Sequence, residues 1–240
     1  MQGKNVLIVG GSRGIGASMV RAFASRGYTV AFTYRASADA ADALARETGA
    51  LAISADSALR DEMDRAIDLF HDKIGKADVL IANAAVSEIG LFTHLSEEAW
   101  ERMRRINLDA PMYYVKRLLP DMIAKKEGRI LLISSMWGQV GASCEVAYST
   151  TKAALIGFAK ALAKEVGPSG IRVNAIAPGV IATEMNASLG EETLASLAEE
   201  TPLCRLGTPE EVARVAVFLA EEGGDFITGQ VIAPNGGFVI

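Results

Sequence analysis

Metal and disulfide chemistry have little to work with in this sequence. It holds two cysteines, Cys144 and Cys204, and two histidines, His71 and His94. The cysteines form no CxxC pair and have no histidine nearby. That argues against a zinc site or a disulfide framework, and fits reduced thiols in a cytosol. No metal is expected. Positive charge is not in excess either: 24 Lys and Arg against 29 Asp and Glu leave a net charge of −5. An acidic surface offers no electrostatic footprint for nucleic acid. Long apolar runs are missing, since none approaches the ~18 residues of a membrane span. The opening MQGKNVLIVG lacks the longer apolar region and cleavage site of a signal peptide. These absences describe a cytoplasmic chain with neither a membrane nor a nucleic-acid partner.

Core-forming residues are plentiful. Half of the 240 residues are hydrophobic and 22% are charged, which suits one packed α/β domain over residues 1–240 rather than a disordered chain. Strand-like and helix-like segments alternate. Apolar strands are expected at 4–10, 28–34, 51–55, 77–83, 128–135 and 171–179, and a last one near 229–234. Helices are expected at 14–26, 38–48, 58–73, 146–167, 190–200 and 209–221. Two helical stretches fill 96–126, with Pro111 marking their joint. Near-continuous apolar strands between helices imply a doubly wound sheet of seven mainly parallel strands, with helices on both faces. No linker, repeat or low-complexity stretch divides it.

The first strand runs into GGSRGIG at 10–16. Gly10, Gly14 and Gly16 let the backbone turn tightly and approach a pyrophosphate, with helix N-terminal amides facing the anion. The spacing is GxxxGxG, not GxGxxG, because Met19 fills the last position. Gly10, Ser12 and Gly14 also satisfy the GxSxG of a hydrolase elbow. That reading needs an acid and then a histidine far downstream, where this chain has none. The second strand ends in Tyr34-Arg35. A carboxylate at that tip would bind the ribose hydroxyls of NAD, but the nearest acid is Asp39. Arg13 and Arg35 suit a 2′-phosphate instead, so NADP(H) is the expected cofactor.

GASCEVAYSTTK at 141–152 places Tyr148 and Lys152 one helical turn apart on one face. An ammonium beside a phenol favours the phenolate and lowers its pKa. Such a phenol can protonate a developing alkoxide, as carbonyl reduction by hydride requires. Ser135 ends a strand at its carboxyl edge, where its hydroxyl can hold the substrate oxygen. Glu145, three residues before Tyr148, attracts a cation if it faces the pocket. As a plain helix N-terminal carboxylate it would only complement the macrodipole. Cys144 reads as a small packing residue.

Together GGSRGIG, ANAA (82–85), ISS (133–135), YSTTK (148–152), APGVIATEM (177–185) and ITGQVIAPNGG (227–237) resemble the short-chain dehydrogenase/reductase family, over nearly the whole chain. Within it the chain is similar to the 3-oxoacyl-acyl-carrier-protein reductases. The resemblance implies a catalytic tetrad of Asn107, Ser135, Tyr148 and Lys152. Asn107 is implied to support a proton-relay water, and Tyr148 and Lys152 also to meet the nicotinamide ribose. It implies cofactor contacts from Gly10, Ser12, Arg13, Gly14, Ile15, Gly16, Tyr34, Arg35, Asp56, Asn83, Ala84, Pro178, Gly179, Ile181 and Thr183. Taken alone, Asp56 would be a helix N-cap, Asn83 a turn former and Thr183 a loop hydroxyl. Two departures, Val9 before the first glycine and ANAA in place of NNAG, put the local support of the cofactor loop in doubt.

An acyl carrier protein is acidic, and Lys125, Lys126 and Arg129 are the residues on offer to dock it, with Ser169 standing where a second basic position is expected. SSMWGQVGASCEVAYS also resembles a Gram-positive subgroup that reduces an aminopentanone group on a lysine of elongation factor P. There Glu145 would meet an amine, with Trp137 and Met136 walling the pocket. A non-catalytic NADP(H)-binding sensor is the reading of another class. Small residues along helix 146–167 (Ala153, Ala154, Gly157, Ala159, Ala161, Ala163) are open to self-packing or to burial within a subunit. The resemblance implies a homotetramer.

Overall fold

Each central strand divides its side chains between two cores. In β1 (Asn5–Val9), Leu7 and Val9 face one and Val6 and Ile8 face the other, all essentially buried. Strand β5 (Gly128–Ile133) repeats the pattern, with Ile130 and Leu132 on one side and Leu131 and Ile133 on the other. A strand covered on both faces has no polar side to show, hence the continuous apolar runs. The computed structural model that shows this describes residues 3–187 and 189–240.

The remaining strands are β2 (Thr29–Tyr34), β3 (Leu51–Ser54), β4 (Val79–Ala82), β6 (Ile171–Ile176) and β7 (Val231–Ile232). They make a seven-stranded sheet in the order β3-β2-β1-β4-β5-β6-β7. Every pairing is parallel. The order reverses between β1 and β4, so the crevice for a ligand opens at the carboxyl ends of those strands.

One core is closed by α1 (Gly14–Ser25), α2 (Ala38–Thr48) and α10 (Pro209–Ala220), through Met19, Phe23, Leu44 and Leu219. The other is closed by α3 (Arg60–Lys73), α5 (Ala110–Lys125) and α7 (Val146–Val166), through Phe70, Leu118, Met122 and Leu162. Around the site lie α4 (Glu97–Arg104), α6 (Trp137–Val140), α8 (Glu184–Ala187) and α9 (Glu191–Glu200). The one-turn α6 and α8 lack the length to show a helical period.

The joint within 96–126 differs from expectation. A π-helical turn, Arg105–Asp109, joins α4 to α5 without a gap, and Pro111 lies inside the first turn of α5. Proline fits there because a first-turn N–H has no partner within the helix. It also cannot donate to the carbonyl of Asn107, four residues earlier.

Among the described residues, no helix is long and apolar enough to cross a membrane. Among them, too, no group of three His, Cys, Asp or Glu side chains could hold a metal ion.

Candidate active site

The glycine turn is held from three sides. The Gly10 N–H donates to the Thr33 hydroxyl at 3.1 Å. The Gly11 N–H donates to the Thr33 carbonyl at 2.9 Å. The Asn83 side-chain amide donates to the Gly10 carbonyl at 2.7 Å. Thr33 thus supplies a hydroxyl where Val9 has none. Glycine is required sterically: a Cβ on Gly16 would lie 2.0 Å from the Gly10 oxygen, and one on Gly10 2.7 Å from Ala84 Cα. Gly10 itself has φ 79°. Gly11 was not singled out in the sequence, yet a Cβ there would stand 2.4 Å from Phe32.

The ANAA departure is accommodated. Ala82 is buried in β4, and the Asn83 and Ala84 N–H groups both donate to the Val9 carbonyl. Ala85 is not among the residues with positive φ, so alanine carries no backbone strain there.

Beyond the turn, α1 starts with no side-chain cap and no acidic residue in its first turn. Its first amides therefore have no partner within the helix, Arg13 beside them is exposed, and Ile15 packs against the core. A cleft of about 770 Å³ opens here, lined by Ser12, Arg13, Gly14, Thr183 and Glu184 among others. Thr183 reaches the turn: a Cβ on Gly14 would sit 3.2 Å from its methyl group. Pro178 and Gly179 follow β6, with the Gly179 N–H donating to the Pro234 carbonyl at 3.2 Å. Ile181 is buried and bridges to Gly207, a packing position rather than an open contact. Tyr34 and Arg35 stand at the tip of β2, and Asp56 lies just past β3. Asp56 is not the cap of α3, whose N-cap is Leu59; its Oδ1 accepts the Ala58 N–H at 2.8 Å instead.

On the other side of the switch point, β5 delivers Ser135 and α7 delivers Tyr148 and Lys152. Lys152 is 2% exposed, one of the largest fully buried side chains. Its Nζ donates to the Ile133 carbonyl at 2.7 Å and sits 5.5 Å from the Tyr148 ring centre. Close packing holds the helix there. The Ser134 hydroxyl donates to the Lys152 carbonyl at 2.8 Å, and a Cβ on Gly138 would lie 2.8 Å from the Lys152 carbonyl carbon.

The electrostatics correct one expectation. The Tyr148 phenol is pushed up to about 12, chiefly by burial, then by the Glu145 carboxylate, with a hydrogen bond from Ser135 pulling the other way. Lys152 does not depress it in this state. Burial brings the ammonium itself down to about 7, so near neutral pH its charge is only partly present. The phenol is therefore held as an acid.

Asn107 is fully buried within the π turn. Its amide donates to the Val86 carbonyl at 2.8 Å and to the Thr151 hydroxyl at 3.2 Å, and its oxygen accepts the Val86 N–H at 2.8 Å. The side chain clamps the loop after β4 to α7. The Asn107 backbone carbonyl receives no hydrogen bond from Pro111, which has no N–H. Glu145 stands at the N-cap of α7 but caps nothing; its carboxylate accepts the Ser87 hydroxyl at 3.0 Å. Trp137 is half-buried, edge-on to Phe238 with ring centres 5.7 Å apart. Met136 is buried, 1% exposed.

The expected basic docking patch does not form as read. Arg129 is buried against Asp225, and Lys125 pairs with Asp78. Lys125, Lys126 and Arg129 all lie at the amino end of β5, one strand length of roughly 20 Å from the carboxyl edge. The signals for Thr33, Ser87 and Thr151 were absent from the sequence, because each acts on a residue 23, 58 or 44 positions away.

A parallel sheet reversing at a glycine turn, with Ser, Tyr and Lys across the same crevice, is the architecture of a dinucleotide-dependent oxidoreductase. The chain belongs to the short-chain dehydrogenase/reductase family: a family model described as Enoyl-(Acyl carrier protein) reductase matches residues 9–239. It is 40% identical to the 3-oxoacyl-[acyl-carrier-protein] reductase FabG of Aquifex aeolicus, covering 99% of this chain and 98% of that one. It is 38% identical to an uncharacterized oxidoreductase, YmfI, of Bacillus subtilis, over 98% of each chain. Among solved structures, a double mutant of a Serratia marcescens short-chain dehydrogenase/reductase matches with TM-score 0.92 at 35% identity, covering 99% of this chain and 98% of that one. A metagenomic blue fluorescent protein in complex with NADPH matches with TM-score 0.93 at 33% identity, covering 100% of this chain and 99% of that one.

Proposed function

We propose that residues 1–240 form one NADP(H)-binding domain that reduces a ketone, a 3-oxoacyl thioester to the 3-hydroxyacyl product being the reading best supported. The observation that carries it is the placement of Ser135, Tyr148 and Lys152 across the switch-point crevice from the glycine turn. The residues fit the cofactor. A turn where a Cβ would strike backbone, an uncapped helix start and Arg13 and Arg35 nearby suit a dinucleotide bearing a 2′-phosphate. Bound NADPH supplies the hydride.

The chain supplies the rest. Ser135 donates to the substrate oxygen and orients it. Tyr148, held protonated through neutral pH, delivers its proton to that oxygen as negative charge develops. Lys152 lies beneath the ring with a proton held near neutral poise, able to resupply the phenol. The Asn107 carbonyl, without a donor from Pro111, holds the relay water. Ala84, Asn83, Pro178, Gly179 and Thr183 shape the crevice, while Asp56 meets the adenine.

The thioester reading is supported by the reductases that match at 35–40% identity over nearly full length. One observation favours a second substrate: the Glu145 carboxylate, three residues before Tyr148, caps no amide and meets only the Ser87 hydroxyl among the hydrogen bonds described. A carboxylate at that mouth suits an amine-bearing ketone, such as the 5-aminopentanone group on elongation factor P. A carrier-protein partner has less behind it, since Arg129 is buried and Ser169 is uncharged. Exposed Ala153, Gly157 and Ala161 on α7, at one-turn spacing, support a homotetramer packed on that helix. The test is NADPH consumption with acetoacetyl thioester and with aminoketone-modified elongation factor P. Faster turnover of the thioester supports the first reading and of the aminoketone the second. Tight NADPH binding without turnover of any ketone would leave a sensor.

A further inference from the structure

Asp56 stands between two arginines at the carboxyl edge of β2 and β3. Its Oδ2 lies 3.3 Å from Arg102 and 3.9 Å from Arg35. Its Oδ1 accepts the Ala58 N–H at 2.8 Å, which holds the carboxylate in this orientation. Arg35 belongs to the tip of β2. Arg102 comes from α4, 46 residues along the chain from Asp56. A carboxylate this close to Arg35 works against anion capture: it holds the guanidinium and repels an incoming phosphate. Arg102 offsets that charge from the other side.

We propose that Arg102 is a positioning residue for cofactor choice: by pairing with Asp56 it releases Arg35 to the 2′-phosphate, and so sets the preference for NADP(H) over NAD(H). This rests on the NADP(H) reading above. Arg102 and Arg35 have side chains 40% and 54% exposed, against 17% for Asp56. Exposure limits the effect to about two- to fivefold in affinity.

Dissociation constants for NADPH and NADH, from nicotinamide fluorescence titration, test it in the parent, Arg102→Ala and Arg102→Ala/Asp56→Asn. Arg102→Ala should weaken NADPH about two- to fivefold and NADH by less than that, with the difference shrinking at high salt. Adding Asp56→Asn should return the NADPH-to-NADH ratio toward the parent's, because no carboxylate then competes for Arg35. An unchanged ratio in Arg102→Ala, whether both cofactors weaken equally or neither does, overturns the proposal. A parent that itself prefers NADH overturns the cofactor reading instead. Arg102→Gln carries the same comparison if the alanine variant melts below the assay temperature.

Discussion

The Lys152 Nζ donates to the Ile133 carbonyl at 2.7 Å while lying 5.5 Å from the centre of the Tyr148 ring. The Lys152 amine thus sits below the phenol, anchored to the last residue of β5, two positions before Ser135. One helix and one strand place all three groups, so their geometry is as rigid as the sheet.

If Tyr148 is the proton donor, Tyr148→Phe removes the donor and little else. Turnover should fall about 10²- to 10⁴-fold, the usual worth of a positioned acid. NADPH affinity, read by fluorescence titration, should stay within about twofold. Near-parental turnover would end the assignment.

Lys152 carries a stability cost with a definite pH window. Its ordinary value of 10.5 falls to about 7 in the folded chain. Above 10.5 both states are neutral and the cost is absent. As pH falls toward 7 the unfolded chain takes up the proton first, so the fold loses stability; below 7 the cost is complete and constant. Lys152→Met should therefore melt higher than the parent in the cofactor-free form, though inactive. The gap in Tm should widen from pH 10 to pH 7 and then level off. A gap independent of pH would contradict the burial argument.

Glu145 raises the Tyr148 phenol. Glu145→Gln should then move the alkaline fall of kcat/KM to lower pH, since the acid loses its proton sooner. The same variant should slow an amine-bearing ketone far more than acetoacetyl thioester. A pH profile that does not move would place the carboxylate outside the chemistry.

Gly16→Ala puts a Cβ 2.0 Å from the Gly10 oxygen. The turn must shift, costing about 1–3 kcal/mol of stability as overpacking does. NADPH affinity should drop more than tenfold while the melting transition stays cooperative. Parental affinity would show that the turn does not hold the nucleotide.

The sheet was legible because its strands are apolar on both faces and its helices are long enough to show their period. Tyr148 and Lys152 were legible by their four-residue spacing, and the glycine turn by its place after the first strand. The π turn was not, since nothing in RINLD departs from ordinary helical sequence; only Pro111 hinted at an irregularity, and it lies two residues beyond. The sense of the tyrosine's shift was also hidden. Spacing revealed a nearby cation, but not that burial would strip most of that cation's advantage. Arg129 misled for a similar reason: a basic residue at a strand start looks like surface until Asp225, 96 residues later, is seen covering it.

The crowded glycine turn restricts how this molecule can change. Gly10, Gly11 and Gly16 each abut atoms that cannot retreat, so the turn admits no gradual variation. New tastes in nucleotide must arise at the tips of β2 and β3, where Arg35 is exposed and Asp56 is half-buried beside it. Drift in this lineage should therefore leave the turn untouched while the arginines around Asp56 come and go.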